Sequence, residues 1–211
     1  MTGLRRNNTP QHSVAGIILC GGASSRMGGD KALLPFGGGT LLDAVIARAA
    51  PQVSRLALSV AADREKTYRL RYSHYPLLFD AQPDRIGPLA GVIAGLKWAQ
   101  SLGDVEWLAT FPCDTPFLPR DVVAQLSSIA RAAPVFAHHG DRLHGVCALW
   151  PVDCLKPLEA GVERGTLRSL HSAMEALDGV SCHIEADGYA FFNVNTREDF
   201  ARAEELASIA P

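Results

Sequence analysis

Val14-Ala15-Gly16-Ile17-Ile18-Leu19-Cys20 is an apolar run that leads directly into the loop Gly21-Gly22-Ala23-Ser24-Ser25-Arg26-Met27-Gly28-Gly29-Asp30-Lys31. The run predicts a buried strand. Small residues after such a strand let backbone N–H groups approach an anion, and Arg26 and Lys31 supply positive charge for a phosphate. The loop matches neither a Walker A sequence nor Gly-x-Gly-x-x-Gly. It therefore predicts a phosphate-binding turn of another kind, with a plain flexible loop as the alternative.

Outward from this turn, short apolar runs alternate with helical patterns. Extended segments are predicted at residues 55–60, 76–80, 106–111, 134–137, 143–150 and 181–184, and helices at 41–49, 64–72, 89–96, 122–129, 166–177 and from 196 onward. Strands that alternate with helices of this length indicate βαβ units. We therefore predict a single three-layer α/β domain with a mainly parallel, Rossmann-like sheet, helices on both faces, and one antiparallel strand in the second half.

Composition excludes several classes of protein. A chain of 211 residues with 47% hydrophobic residues can bury a substantial core, and its net charge of −2 predicts no nucleic-acid partner. No apolar run approaches the roughly 20 residues that cross a membrane. Residues 1–13 are polar and predict a flexible extension before a domain at 14–211. Five cysteines, an odd number without C-x-x-C spacing, indicate a reduced, cytoplasmic protein rather than a disulfide or zinc framework.

Two carboxylates end predicted strands on the side where open parallel sheets bind ligands. They are Asp80 and Asp114, and the second lies between Pro112 and Pro116. Because proline restricts its own backbone and that of the residue before it, Asp114 is held stiffly. A stiff carboxylate at this position suits Mg²⁺, which binds through a few carboxylates and substrate phosphates. The alternative for either residue is a carboxylate that only stabilises a turn.

A second polar segment precedes the last predicted helix. Asn193 and Asn195 stand at alternate positions, so they point to the same side of an extended segment. Thr196 can cap the helix, and Asp199, three residues on, gives a near capping box. Adjacent histidines such as His138 and His139 face opposite ways on a strand, which favours ordinary strand residues over metal ligands.

In their order along the chain, these motifs resemble those of the molybdenum cofactor guanylyltransferases. Leu-x-Gly-Gly-x-Ser-Ser-Arg-Met-Gly-x-Asp-Lys is similar to the signature loop of the nucleotidyltransferases that activate molybdopterin. Three later segments strengthen the resemblance: Gly87-Pro88-Leu89-Ala90-Gly91, Pro112-Cys113-Asp114-Thr115-Pro116 and Asn193-Val194-Asn195-Thr196-Arg197-Glu198-Asp199. The matches run from about residue 14 to about residue 200.

The resemblance implies an enzyme that transfers GMP from GTP to the terminal phosphate of molybdopterin and releases pyrophosphate, with Mg²⁺ as cofactor. The implied catalytic residues are Arg26, Lys31 and Asp114, with Asp114 as metal ligand. The implied nucleotide-binding residues are Leu19, Cys20, Gly21, Gly22, Lys31, Asp80 and Asp114. Asn193 and Asn195 are assigned to pterin-side or metal-side contacts, with the pterin side preferred. Molybdoenzymes or accessory proteins of cofactor biosynthesis are the implied further partners.

Three alternatives stay open. A molybdopterin cytidylyltransferase typically carries Ala-Ala-Gly in the loop; here Gly22 favours guanine, whereas Cys20 departs from the usual alanine. A sugar-1-phosphate nucleotidyltransferase is disfavoured by the short chain and the Pro-Cys-Asp-Thr-Pro segment. A non-catalytic nucleotide-binding or cofactor-delivery protein is disfavoured because Arg26, Lys31 and Asp114 are present.

Overall fold

The computed structural model describes residues 13–21, 30–79 and 86–209. Its strands are β1 (Val14–Leu19), β2 (Pro35–Phe36), β3 (Gly39–Thr40), β4 (Arg55–Val60), β5 (Leu77–Phe79), β6 (Trp107–Pro112), β7 (Val135–His139), β8 (Arg142–Pro151) and β9 (Val180–His183). Its α-helices are α1 (Leu41–Ala49), α2 (Glu65–Arg71), α3 (Pro88–Leu102), α4 (Val122–Ile129), α5 (Leu155–Glu163), α6 (Leu170–Ala176) and α7 (Arg197–Ile209). Short 3₁₀ turns cover Lys31–Leu33, Ala50–Gln52, Ala62–Arg64 and Val152–Cys154.

Seven of the strands form one sheet in the order β5-β4-β1-β6-β8-β7-β9. All neighbouring strands run parallel except for the pairs that β8 makes with β6 and β7. The sequence-based prediction of a mainly parallel sheet with one antiparallel strand is confirmed. β2 and β3 form a separate small hairpin before α1.

Helices cover both faces of the sheet, which confirms the predicted three layers. On one face α1, α2 and α4 bury their apolar sides, and on the other α3, α5 and α6 do so. α3 lies so close to the sheet that a Cβ added at Gly95 would be only 2.8 Å from Leu108 Cδ2. α7 packs in a third cluster with Phe36, Phe117 and Val194.

The boundaries differ from the predicted ones where local signals compete. The predicted helix at 166–177 begins only at Leu170, because Ser169 caps it and accepts a hydrogen bond from Ser172 N at 3.1 Å. α5 carries Pro157 in its first turn, and the apolar periodicity alone did not predict this helix. Among the helices described, none is both long enough and apolar enough to cross a membrane.

Candidate active site

The carboxyl-terminal ends of β1, β4 and β6 lie side by side at one edge of the sheet. Leu19, the last residue of β1, pairs with Pro112 of β6 and with Ser59 of β4. Cys20 N then donates to Ser59 O at 2.8 Å, and Asp114 follows β6 by two residues. Open parallel sheets bind ligands at this edge. The end of the glycine-rich loop and Asp114 therefore meet where the strand directions predict a ligand.

Lys31 joins three segments that are far apart in the sequence. Its Nζ donates to Asp114 Oδ2 at 2.6 Å and to Asn195 Oδ1 at 2.8 Å. The lysine and aspartate side chains are only 15% and 18% exposed. Because bulk water screens such a pair less than a surface pair, the attraction between the two charges is stronger. The ammonium group is thus fixed between a carboxylate and an amide oxygen.

Asp30 shapes the turn that carries Lys31. Its Oδ1 accepts a hydrogen bond from Ala32 N at 3.2 Å and so caps the 3₁₀ turn. Its Oδ2 lies 3.1 Å from Nη1 of Arg64, in the 3₁₀ turn after β4, and the two side chains are 13% and 25% exposed. The end of β4 therefore anchors the lysine turn through an ion pair. No sequence pattern links Asp30 with Arg64, and sequence reasoning missed this support.

The Asp114 loop is clamped to the segment before α7. Val194 N donates to Asp114 O at 2.9 Å. Thr115 is fully buried, and its Oγ1 donates to Asn193 Oδ1 at 2.8 Å. The two asparagine side chains thus both face the Asp114 loop, although Asn193 contacts Thr115 and Asn195 contacts Lys31. Sequence reasoning also missed Thr115, which carries no signal beyond its place in the motif.

The first turn of α7 fixes Asn195 from the other side. Asp199 Oδ2 accepts hydrogen bonds from Asn195 N at 3.0 Å and from Thr196 N at 2.8 Å, and Asp199 N donates to Thr196 Oγ1 at 3.0 Å. These contacts complete the capping box that the sequence partly predicted. The hydrogen bond from the Asn195 backbone is the main reason that the pKa of Asp199 lies below its usual range. The helix start and the site are therefore one hydrogen-bonded unit.

The two cysteines at this edge are buried. Burial raises the pKa of the Cys20 thiol well above its usual range, and the neighbouring Cys113 adds to the effect. Because the thiolate and not the thiol is the nucleophile, Cys20 is poorly suited to covalent catalysis. Cys113 is also buried.

The structure places the residues singled out from the sequence as follows. Leu19 and Cys20 are buried at the end of β1, with Gly21 next to them and more accessible. Lys31, Asp114 and Asn195 are in direct contact, and Asn193 lies against Thr115. The three others, Gly22, Arg26 and Asp80, lie outside the described residues.

The oxygen atoms around the Lys31 ammonium also suit a hard divalent cation. Asp114 Oδ2 and Asn195 Oδ1 converge on one positive charge. Asp114 Oδ1 is available as well, with Thr115 Oγ1 3.4 Å away. One carboxylate with neutral oxygens matches the way that Mg²⁺ binds in sites where substrate phosphates supply further ligands. This oxygen set is compatible with a divalent cation that takes its remaining ligands from a substrate.

Comparison with known proteins identifies similar chains. Residues 16–180 match the family model of the MobA-like NTP transferase domain. A molybdenum cofactor guanylyltransferase of Cereibacter sphaeroides is 42% identical over 192 residues, which is 90% of this chain and 95% of the relative. Another of that name, from Mesorhizobium japonicum, is 37% identical over 93% of this chain and 97% of its own length.

Solved structures support the fold. Molybdopterin-guanine dinucleotide biosynthesis protein A of Archaeoglobus fulgidus superposes with a TM-score of 0.75 at 22% identity, covering 92% of this chain and 98% of that one. A 4-diphosphocytidyl-2C-methyl-D-erythritol synthase of Anaerococcus prevotii has a TM-score of 0.69 at 12% identity, with 93% and 96% covered. At these identities the likeness shows a shared architecture.

Proposed function

The chain belongs to the MobA-like NTP transferase family and is a nucleotidyltransferase, and from this premise we propose that it transfers GMP from GTP to the terminal phosphate of molybdopterin. The observation that carries the proposal is the convergence of Lys31, Asp114 and Asn195 at the ligand edge of the sheet. The relatives at 37–42% identity, all named for this activity, support the choice of substrates.

The reaction needs little acid or base chemistry. An oxygen of the acceptor phosphate forms a bond to the α-phosphorus of GTP. The bond from that phosphorus to the bridging oxygen breaks, and its electron pair leaves with pyrophosphate. Because a phosphate monoester has its second pKa near 6, the nucleophile is largely ionised at neutral pH without a general base. Catalysis then depends on positioning and on neutralising charge.

We assign each site residue a role from its charge and from its position at the ligand edge of the sheet. Lys31, fixed by two hydrogen bonds, offers a positive charge to the phosphates, and Arg26 acts with it on the departing pyrophosphate. The end of β1, with Gly21 and Gly22, receives the base and Asp80 helps to bind the nucleotide. Asn193 and Asn195 would contact the pterin or the metal.

Asp114 and the amide oxygen of Asn195 would hold Mg²⁺. When bound, the ion supplies positive charge to the phosphate oxygens. Asp114 keeps its carboxylate directed at this position because Val194 N binds its backbone oxygen and Lys31 its side chain. Lys31 Nζ now occupies the position between the Asp114 and Asn195 oxygens, so a metal ion bound there would require the lysine to move towards the phosphates.

The five buried thiols without a disulfide are compatible with a reducing compartment, and we place the protein in the cytoplasm. Its dinucleotide product would pass to a molybdoenzyme or to an accessory protein.

Labelled GTP tests the reaction. With molybdopterin, label at the α-phosphate should enter the pterin product, and label at the γ-phosphate should appear in pyrophosphate. Asp114→Asn should lower turnover at least about a hundredfold, the scale of one strong electrostatic contact. Asp153→Asn is the matched control, because this carboxylate is exposed and follows β8 at the opposite edge of the sheet. γ-Label in the pterin product, or equal turnover in both variants, would contradict the proposal.

A further inference from the structure

Phe191 has an unusual backbone. Its φ is +61°, whereas the other described non-glycine residue with positive φ is Asp178 at +50°. Aspartate enters this region readily in turns, but a bulky aromatic residue rarely does. Such strain persists only where the surroundings over-determine the conformation, and it often marks a functional segment. The residue as a whole is 3% exposed, so Phe191 is enclosed by its surroundings.

Two histidines hold the ring. His144 stacks on it with 4.3 Å between the ring centroids and 19° between the planes, and His139 lies at 5.8 Å. His139 is itself fixed, because its Nδ1 is 3.1 Å from Ile184 O. Burial lowers the pKa of the half-buried His144 to about 4, so its ring is neutral at neutral pH. A neutral flat ring can stack on phenylalanine without losing the hydration of a charge.

A break in the sheet places His144 against this ring. Phe136 of β7 pairs with Ala148 of β8, but the next residue of β7, Ala137, pairs with His144. Residues 145–147 therefore have no partner on β7, and Val146 O instead accepts a hydrogen bond from Thr110 Oγ1 at 2.6 Å. Such irregularities in paired strands re-aim side chains and are common beside active sites.

Phe191 lies just before the segment 193–195, which is hydrogen-bonded to the Asp114 loop and to Lys31. Two residues on, Asn193 receives the hydrogen bond of Thr115, and Val194 N then donates to Asp114 O. Downstream, the α7 capping box fixes Asn195. We propose that the stack of Phe191 on His144 is the upstream anchor of this segment and sets the position of Asn195 beside Lys31. In its effect on turnover the inference rests on the proposed function, and both stacked residues are positioning residues.

Amide hydrogen exchange tests the anchor without any substrate. In His144→Ala the Val194 amide should exchange several-fold faster than in the parent, because the upstream end of the segment is released. His144→Phe keeps a flat ring against Phe191 and should restore slow exchange. His183→Ala is the matched control, because the ring of this exposed histidine packs on His138. Unchanged exchange in His144→Ala would overturn the inference.

Turnover tests whether the anchor acts through Asn195. His144→Ala should lower kcat about tenfold with the KM for GTP unchanged, since a displacement near 1 Å costs up to about a hundredfold. In an Asn195→Ala background the same change should have less than a twofold effect. An equal effect in both backgrounds would overturn the inference. If the parent protein turned over no GTP, the proposed function would fail, while the exchange experiment would still decide on the anchor.

Discussion

Replacing Lys31 by methionine removes one positive charge and keeps a side chain of similar length. In the parent, Nζ lies 2.6 Å from Asp114 Oδ2 and 2.8 Å from Asn195 Oδ1. The substitution leaves a carboxylate that is 18% exposed without its counter-charge. Both catalysis and folding stability should therefore change, but for different reasons.

The two effects have different sizes. Loss of one preorganised charged donor should lower kcat about 10²–10³-fold, or about 2.7–4 kcal/mol of transition-state stabilisation. The unpaired carboxylate should lower the free energy of unfolding by about 1–3 kcal/mol, because a mostly buried group loses its partner but keeps some access to water.

A double variant separates the two effects. Lys31→Met with Asp114→Asn leaves no unpaired charge, so most of the lost stability should return, while turnover should stay as low as in the single variants. Urea unfolding and pyrophosphate release would measure the two quantities on the same samples. Turnover of Lys31→Met within about tenfold of the parent, well short of the expected electrostatic loss, would contradict the catalytic role of Lys31. A double variant whose stability losses simply add would contradict the explanation of the lost stability by an unpaired charge.

Three further outcomes are expected. Arg64→Ala should lower turnover about tenfold, a modest cost of misplacement, because the ion pair of Arg64 with Asp30 supports the turn that carries Lys31. Steady-state kinetics would check this, with Arg55→Ala, which removes an exposed ion pair, as the control. Thr115→Val should lower the free energy of unfolding by about 1–2 kcal/mol, because a buried hydrogen bond is lost at constant volume; an unchanged urea midpoint would count against it. The folded protein should lose stability as the pH falls from about 6.5 towards 4, because the unfolded chain protonates His144 near pH 6.5 and the folded chain only near about 4. The same urea titrations on His144→Phe should show a smaller loss over that range.

The sequence predicted the elements whose signals are local. The apolar run of β1 and the stripe of α1 have the predicted bounds or nearly so, and the antiparallel strand lies in the predicted half. The contact between Lys31, at the end of the glycine-rich loop, and Asp114 agrees with one rule, that parallel strands end at the same edge. The capping box at the start of α7 could be predicted because Thr196 and Asp199 are three positions apart in the sequence.

The rest depends on contacts between residues distant in sequence. Lys31 and Asn195 are 164 positions apart, and only the resemblance to a family placed Asn195 at the site. Nothing in the composition predicts that Arg64 pairs with Asp30. The positive φ of Phe191 could not be predicted from the sequence either. It depends on His144, which reaches the Phe191 ring only because the register between β7 and β8 shifts. Periodicity describes faces of single elements, and these features belong to pairs of elements.

The most direct test of GMP transfer is pyrophosphate release from each nucleoside triphosphate separately, with Mg²⁺ and molybdopterin, against a control without the pterin. Release from GTP alone, and only when the pterin is present, is the predicted result. Release from CTP would contradict the inference that Gly22 selects guanine, but it would leave the proposed roles of Lys31 and Asp114 unchanged. Release from no triphosphate would contradict nucleotidyl transfer to molybdopterin at Lys31 and Asp114.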